Sequence, residues 1–271
     1  MELPHGLGFT SLQAALILAL KLMRYAMIAL EFVGDMVIYF ARTIWYFLTG
    51  KLNYFLTSRQ MSALGVNSIP LAMLVMGFVG ATVSYLLAEE LGKRGASAYV
   101  GGILLLALLR ELIPLLTGVV LAGKAGAAIT SEIGSMRITS QIDALRALST
   151  DPHWFLTAPR VFALLVMSPV VGVFAGFAGF LAGYYMAFHK IGLSYAAYTA
   201  NIAYPFVKLS DFRGCLVKLL IFGAVVAIVG CFMGYQVKRG AEDVGRAVTN
   251  SVVLSIVLIF GLDLLLLPVL F

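Results

Sequence analysis

Apolar residues in this chain come in long runs, without the regular polar interruptions of a soluble helix or strand. The run "IPLAMLVMGFVGATVSYLLAEEL", Ile69 to Leu91, is entered by Pro70 and left through "GKRGAS". As an α-helix it is long enough to cross a hydrocarbon core of about 30 Å. Comparable runs cover residues 100–128, 157–188, 215–235 and 248–271. A transmembrane β-barrel would show alternating segments of roughly ten residues instead, and these are absent. The pattern therefore predicts an all-α polytopic membrane protein, with a body of five transmembrane helices in residues 65–271.

Residues 1–64 read differently. On a helix of 100° per residue, Arg24, Glu31, Asp35 and Arg42 fall within about 40° of one another. Each charge facing lipid at mid-bilayer would cost about 2.5–3.5 kcal/mol. The stripe, with Trp45 and Tyr46 at one end, predicts amphipathic helices lying in the membrane interface. A true span whose stripe packs on a partner is the alternative.

Between the second and third runs lies "SEIGSMRITSQIDALRAL", Ser131 to Leu148, dense in mixed charge. Ile138, Ile142, Leu145 and Leu148 recur at helical spacing and give one apolar face. Asp143 and Arg146 lie off that face, Gln141 borders it, and Gly134 predicts a bend where the span ends. The expectation is a short amphipathic helix over residues 131–148, suited to a groove on a soluble partner or else resting on the membrane surface. Asp151-Pro152 marks a break after it.

Five spans put the termini on opposite sides. With the amino terminus in the cytoplasm, the inner side holds Lys21, Arg24, Arg42, Lys51, Arg59, Lys124, Arg137, Arg146, Arg160, Lys238, Arg239 and Arg246. The outer side then holds Lys93, Arg94, Lys190, Lys208, Arg213 and Lys218, twelve basic residues against six. That asymmetry supports a cytoplasmic amino terminus, a carboxyl terminus on the outer face and a cytoplasmic 131–148 helix.

Composition sharpens the class. The chain is 61% hydrophobic and 12% charged, with a mean hydropathy of +0.99. Soluble domains average about 25% charged residues. The net charge of +6 is accordingly read as loop charge that orients the spans, and nucleic acid is not an expected partner. Cys215 and Cys231 fall in one apolar run, about 24 Å apart along a helix, too far for a disulfide or a shared metal. The start "MELPHGLGFT" has no basic region and carries Glu2, which speaks against a cleaved signal peptide.

Few residues carry chemistry. "GVVLAGKA", Gly118 to Ala125, imitates a phosphate-binding loop, but Ala125 replaces the required Ser or Thr and the flanks read as helix. Any ATP-driven activity would therefore need a separate subunit to bind ATP and magnesium. Gly172, Gly176, Gly179 and Gly183 give a small-residue stripe, for packing within one chain or for a subunit interface. In "LLRELIPLLTG", Arg110 and Glu111 sit near the middle of the second span with Pro114 just after. Ionisable groups at that depth pair or line a polar cavity. Either a structural ion pair or a substrate-cavity wall fits them, with Arg110 able to meet an anionic headgroup. The three histidines, His5, His153 and His189, are isolated, and no catalytic or metal-ligating set emerges. Apart from Arg110 and Glu111, the clearest span-embedded charge is Asp263.

The central run "LLRELIPLLTGVVLAGKAGAAITSEIGSMRITSQIDALRALSTDPHWFLTAPRV" resembles the MlaE (YrbE-type) permease family of lipid-transporting ABC systems. It matches the family pattern at Arg110, Glu111, Pro114, Ala122, Gly123, Gly126, Glu132, Ile133, Gly134, Met136, Gln141, Ile142, Asp143, Ala144, Leu145, Asp151, Pro152, Pro159 and Arg160. "SDFRGCLVKLLIFG" and the tail "GAEDVGRAVTNSVVLSIVLIFGLDLLLLPVLF" are similar to the family's carboxyl half. Four positions depart: Ile113 for glycine, Lys124 for arginine, Ser140 for glutamate and Asp243 for glycine.

The resemblance implies a homodimeric permease in a bacterial inner membrane. It implies two ABC ATPase subunits, a periplasmic hexamer of MCE-domain protein, often a small STAS-domain protein, and phospholipid as ligand. It makes Arg110, Glu111 and Pro114 part of a lipid cavity between two copies. It makes Glu132, Gly134, Met136, Gln141, Asp143 and Leu145 the helix that couples to the ATPase. Two rivals predict other behaviour. A secondary transporter or channel would use Arg110, Glu111 and Asp263 to carry ions or protons without an ATPase, and an intramembrane lipid enzyme would form product alone.

Overall fold

The computed structural model describes residues 23, 27, 31, 34–43, 45, 53–202, 207–238 and 240–271. Among these there is no strand, and five helical rods are long and apolar enough to span a membrane: Tyr54–Lys93, Ser97–Ile138, His153–Ile191, Leu209–Tyr235 and Gly240–Leu270. The predicted all-α architecture with five spans is the observed one.

The spans are longer than the apolar runs that revealed them. The first is regular from Ile69 to Lys93, as the Pro70 signal predicts, but helical backbone reaches back to Tyr54 through a wide turn at Met61–Gly65. Asn53 starts it by accepting the Leu56 N–H on its side chain at 3.2 Å, an N-cap that relieves an orphan donor. The boundary expected at residues 64 and 65 therefore falls inside a continuous rod. The fourth span likewise begins at Leu209, six residues before the expected start, so Lys218 leaves the count of loop charges and becomes an interior residue.

Of the amino-terminal segment, residues 34–43 are helical and lie against the third and fourth spans. Tyr39 anchors them: its hydroxyl is 2.6 Å from Thr157 Oγ1, and its ring meets His153, Phe232 and Tyr235. Asp35 and Arg42 are exposed on this helix, as are Glu31 and Trp45. Arg24 and Tyr46 of that reading, and separately His5, lie outside the described residues.

The core has two halves along the bundle. One, toward the Gln141–Ala147 end, is built on Leu121, Ile129, Ile133, Ile142, Leu164, Phe222 and Val226. The other, toward the opposite end, is built on Met76, Leu104, Leu108, Val171, Tyr198 and Leu219. The fourth span runs through both and is the most enclosed; the fifth is the least. Between them Thr130 Oγ1 sits 2.9 Å from Ser251 Oγ and 3.0 Å from the Gly230 carbonyl, tying the second, fourth and fifth spans.

The first and third spans cross where Gly80 meets the Gly179 backbone, and Ser84 Oγ donates to the Gly183 carbonyl at 2.7 Å. All four glycines of the 172–183 stripe face neighbours within the chain: Leu219, Ile113, Met76 and Leu104. The stripe thus serves packing inside one chain. Because a methyl on Gly80 would run into the Gly179 carbonyl, Gly80→Ala should cost about 1–3 kcal/mol as the helices are forced apart. Gly77→Ala, whose methyl meets only Ala182 at 3.9 Å, should be neutral or slightly stabilising. Thermal melts of the detergent-solubilised variants check the contrast.

Candidate functional site

Arg110 and Glu111 lie in a wide helical turn, Leu108–Leu112, where the Ile113 N–H reaches back five residues to the Leu108 carbonyl. Such turns inside α-helices mark functional sites more often than chance. Pro114, buried just beyond, has no N–H and cannot bond the Arg110 carbonyl four residues back. Lys218 of the fourth span fills that vacancy, donating from Nζ to the Arg110 oxygen at 2.9 Å. The proline thus creates the acceptor that holds a buried lysine.

Around this point five ionisable side chains from three spans converge. Arg110 binds Asp211 through Nε at 3.0 Å and Nη2 at 2.9 Å, both on Oδ1. Asp211 Oδ2 accepts the Lys208 N–H at 2.8 Å. Lys218 Nζ lies 3.2 Å from Glu111 Oε1 and 2.7 Å from Asp263 Oδ1, the latter an ion pair out of line for a hydrogen bond. The Phe271 ring packs over Gly214, 5.2 Å from both the Arg110 guanidinium carbon and Lys218 Nζ. Lys218 is wholly buried and Asp211 almost so, whereas the side chains of Arg110 and Glu111 are 37% and 35% exposed. A buried ammonium between two carboxylates is compensated, and the cluster has one open side.

The interhelical ion pairs expected of Arg110 and Glu111 are therefore present, but their partners are Asp211 and Lys218 rather than each other. Neither residue, nor Pro114, lines the apolar cavity between the second, third and fourth spans. That cavity, about 490 Å³, lies beside Leu105, Leu109 and Ile113, on another side of the same helix. Ile113, the departure from glycine, presses its side chain against Gly176 there.

At the other end, the 131–148 stretch is two helices and not one. The second span runs unbroken through Gly134 to Ile138, the chain turns at Ser140 in the left-handed region (φ 57°), and Gln141–Ala147 follows. The bend predicted at Gly134 does not occur. Gly134 is buried under Val237 and Val244, at contacts of 3.1–3.4 Å for any added Cβ, and it permits close packing instead. Ile142 is buried and Leu145 half-buried, while Ile138 and Leu148 are exposed, so the apolar face is shorter than its spacing implied. Gln141 and Asp143 are exposed; Asp143 Oδ1 accepts from Arg137 at 3.0 Å and from Arg146 at 3.2 Å. Met136 packs partly against the core. Glu132 reaches Arg160 Nη2 at 2.8 Å, and Arg160 Nη1 donates to the Leu156 carbonyl at 2.6 Å. That buried arginine locks the second span to the third.

The phosphate-loop imitation is helical throughout, and Lys124 Nζ donates to the Asn67 carbonyl of the first span. Asp243, the other departure from glycine, accepts the Lys238 N–H at 2.7 Å and fixes the turn into the fifth span.

Sequence reasoning missed Asp211, Lys218 and Arg160 as site members. A signal existed for the first two: they are seven residues apart on one helix, hence on one face, in a stretch too apolar to leave them unpaired.

Comparison with known proteins covers both ends of this arrangement. The model of the family described as Permease MlaE matches residues 57–268. A probable ABC transporter permease protein of Synechocystis sp. is 39% identical over 79% of this chain and 81% of its own length. Another from Rickettsia typhi is 34% identical over 80% and 83%. Protein TRIGALACTOSYLDIACYLGLYCEROL 1, chloroplastic, of Arabidopsis thaliana is 31% identical over 81% of this chain and 62% of that protein. Since the match takes in all five spans, the five-charge cluster and the Gln141–Ala147 turn, this multi-pass membrane chain belongs to the MlaE permease family of ABC transporters.

Proposed function

We propose that this chain is the membrane permease through which an ABC transporter moves phospholipid, or a related lipid, between a bacterial inner membrane and a periplasmic MCE-protein tunnel. Family membership implies ATPase partner subunits. In this reading two copies pair, each with one ATPase, and this chain catalyses nothing and binds no ATP or magnesium itself. An MCE-domain hexamer receives or delivers the lipid, and a small STAS-domain protein can attend the ATPase.

The observation that carries the reading is the division of labour along one helix. The second span holds the half-open charged turn at Arg110 and Glu111, and it ends at the exposed Gln141–Ala147 turn. A push at one end reaches the other through a rod locked by Glu132–Arg160 and Thr130–Ser251. The six coupling residues divide accordingly: Gln141 and Asp143 face the ATPase, and Gly134, Met136 and Leu145 seat the turn on the bundle. Glu132 does both. The open side of the Arg110–Glu111 cluster faces the lipid cavity between the two copies, above Pro114. The chloroplastic relative bears a galactolipid in its name, which agrees with a lipid cargo.

Affinity purification of the tagged chain from its own membranes tests this. The expected eluate holds an ATPase, an MCE-domain protein and phospholipid in stoichiometric amounts. A chain that emerges alone even after cross-linking at Ser140, and that transports under a proton gradient, would favour the secondary-transporter reading instead.

A further inference from the structure

We infer that the cavity between the second, third and fourth spans is a binding slot for one acyl chain of an anionic membrane lipid, whose headgroup meets Lys208. Its volume of about 490 Å³ falls in the range of ligand pockets. Its walls are apolar: Leu105, Leu109 and Ile113 on one side, Phe177 and Phe180 on another, Leu216 on the third. On the third span Gly172 and Gly176 let Leu219 and Ile113 pack close, so the slot is bounded there by those two side chains.

Two observations choose the occupant. The slot opens on the flank where Val173, Phe174 and Phe177 are exposed, a surface that a span turns to hydrocarbon. A water-borne ligand would find no hydrogen-bond partner along these walls, whereas an acyl chain needs none. The one charged side chain in the lining is Lys208, at the end of the slot where the fourth span begins. Lys208 is exposed, and among the described residues no carboxylate lies within ion-pair distance of its ammonium. The neighbouring Asp211 is engaged by Arg110 and by the Lys208 backbone N–H. A phosphate-bearing headgroup at the membrane surface supplies the missing negative charge, and its chain enters the slot below.

This site is separate from the Arg110–Glu111 cluster, and it does not rest on the transport reading. The slot opens on the flank where Val173, Phe174 and Phe177 are exposed, and its occupancy is measured without ATP. The test uses the assembled complex in nanodiscs with phosphatidylglycerol carrying a diazirine on one acyl chain, and phosphatidylcholine with the same chain as comparison. After illumination, labelled peptides are mapped by mass spectrometry. Label on Leu105, Leu109, Phe177 or Leu216 is expected, with phosphatidylglycerol favoured about fivefold, the worth of one lysine near an anionic headgroup. Leu216→Trp should fill the slot and remove most of the label, and Lys208→Glu, on the surface, should abolish the preference while leaving the fold intact. Label absent from these walls, cross-links to a second copy in its place, or equal labelling by both lipids would each overturn the assignment.

Discussion

Replacing Lys218 by methionine should be the most damaging single substitution in the membrane core. Lys218 is wholly buried and neutralises Glu111 and Asp263 while capping the Arg110 carbonyl that Pro114 leaves free. Methionine keeps the volume but leaves two acidic groups and one carbonyl without a partner. Removing one member of a buried pair costs about 3–5 kcal/mol, and the half-exposed Glu111 places this case toward the lower part of that range. Denaturation of the purified protein and its yield in membranes measure the loss. Adding Asp263→Asn to Lys218→Met should return part of the stability, since the orphaned charge is gone. A double variant no more stable than the single one would show that Asp263 is not the partner that matters. Arg110→Met should hurt less by the same reasoning, because Asp211 still receives the Lys208 N–H.

Disconnecting the Gln141–Ala147 turn should have the largest functional effect. Asp143 and Leu145 replaced together by alanine should lower lipid transport about tenfold, a coupling loss near 1.4 kcal/mol, while ATP hydrolysis by the complex continues. Leu145 is half-buried, so part of that effect would come from loosening the turn. Asp143→Ala with Leu148→Ala separates the two, because Leu148 is 76% exposed and touches little of the core. Hydrolysis continuing with transport lost in both pairs is the predicted outcome. Full transport in both would leave the turn as a surface feature only.

The spans were legible because uninterrupted apolar length is a direct physical requirement of crossing a bilayer, and composition alone carries it. Their ends were less so. Asn53 and the residues after it are polar enough to read as surface, yet an N-cap and a wide turn carry the first helix fifteen residues before its apolar run, from Ile69 back to Tyr54. Gly134 read as a hinge because glycine weakens a helix, but here the deciding fact is a neighbour, Val237, about a hundred residues away in sequence. The actual turn at Ser140 uses a left-handed serine, for which the sequence has no glycine marker.

The charged cluster was half visible. Arg110, Glu111 and Asp263 stand out as ionisable residues in apolar runs, and such residues require partners. Which partners they find depends on how the second, fourth and fifth spans are set against one another, and no local pattern records that. Lys218 passed as a loop residue because it sits close to the start of the fourth apolar run. The MlaE-like motif pointed to the second span and the stretch after it, but not to the contact by which Glu132 reaches inward to Arg160.

The measurement that tests the central claim most directly is lipid release from proteoliposomes holding the purified complex, with fluorescent phospholipid in the donor membrane. ATP should drive transfer, and a hydrolysis-deficient ATPase subunit should stop it, as should Asp143→Ala with Leu148→Ala in this chain. Transfer that proceeds at the same rate without ATP, or that follows a proton gradient through this chain alone, would contradict the account.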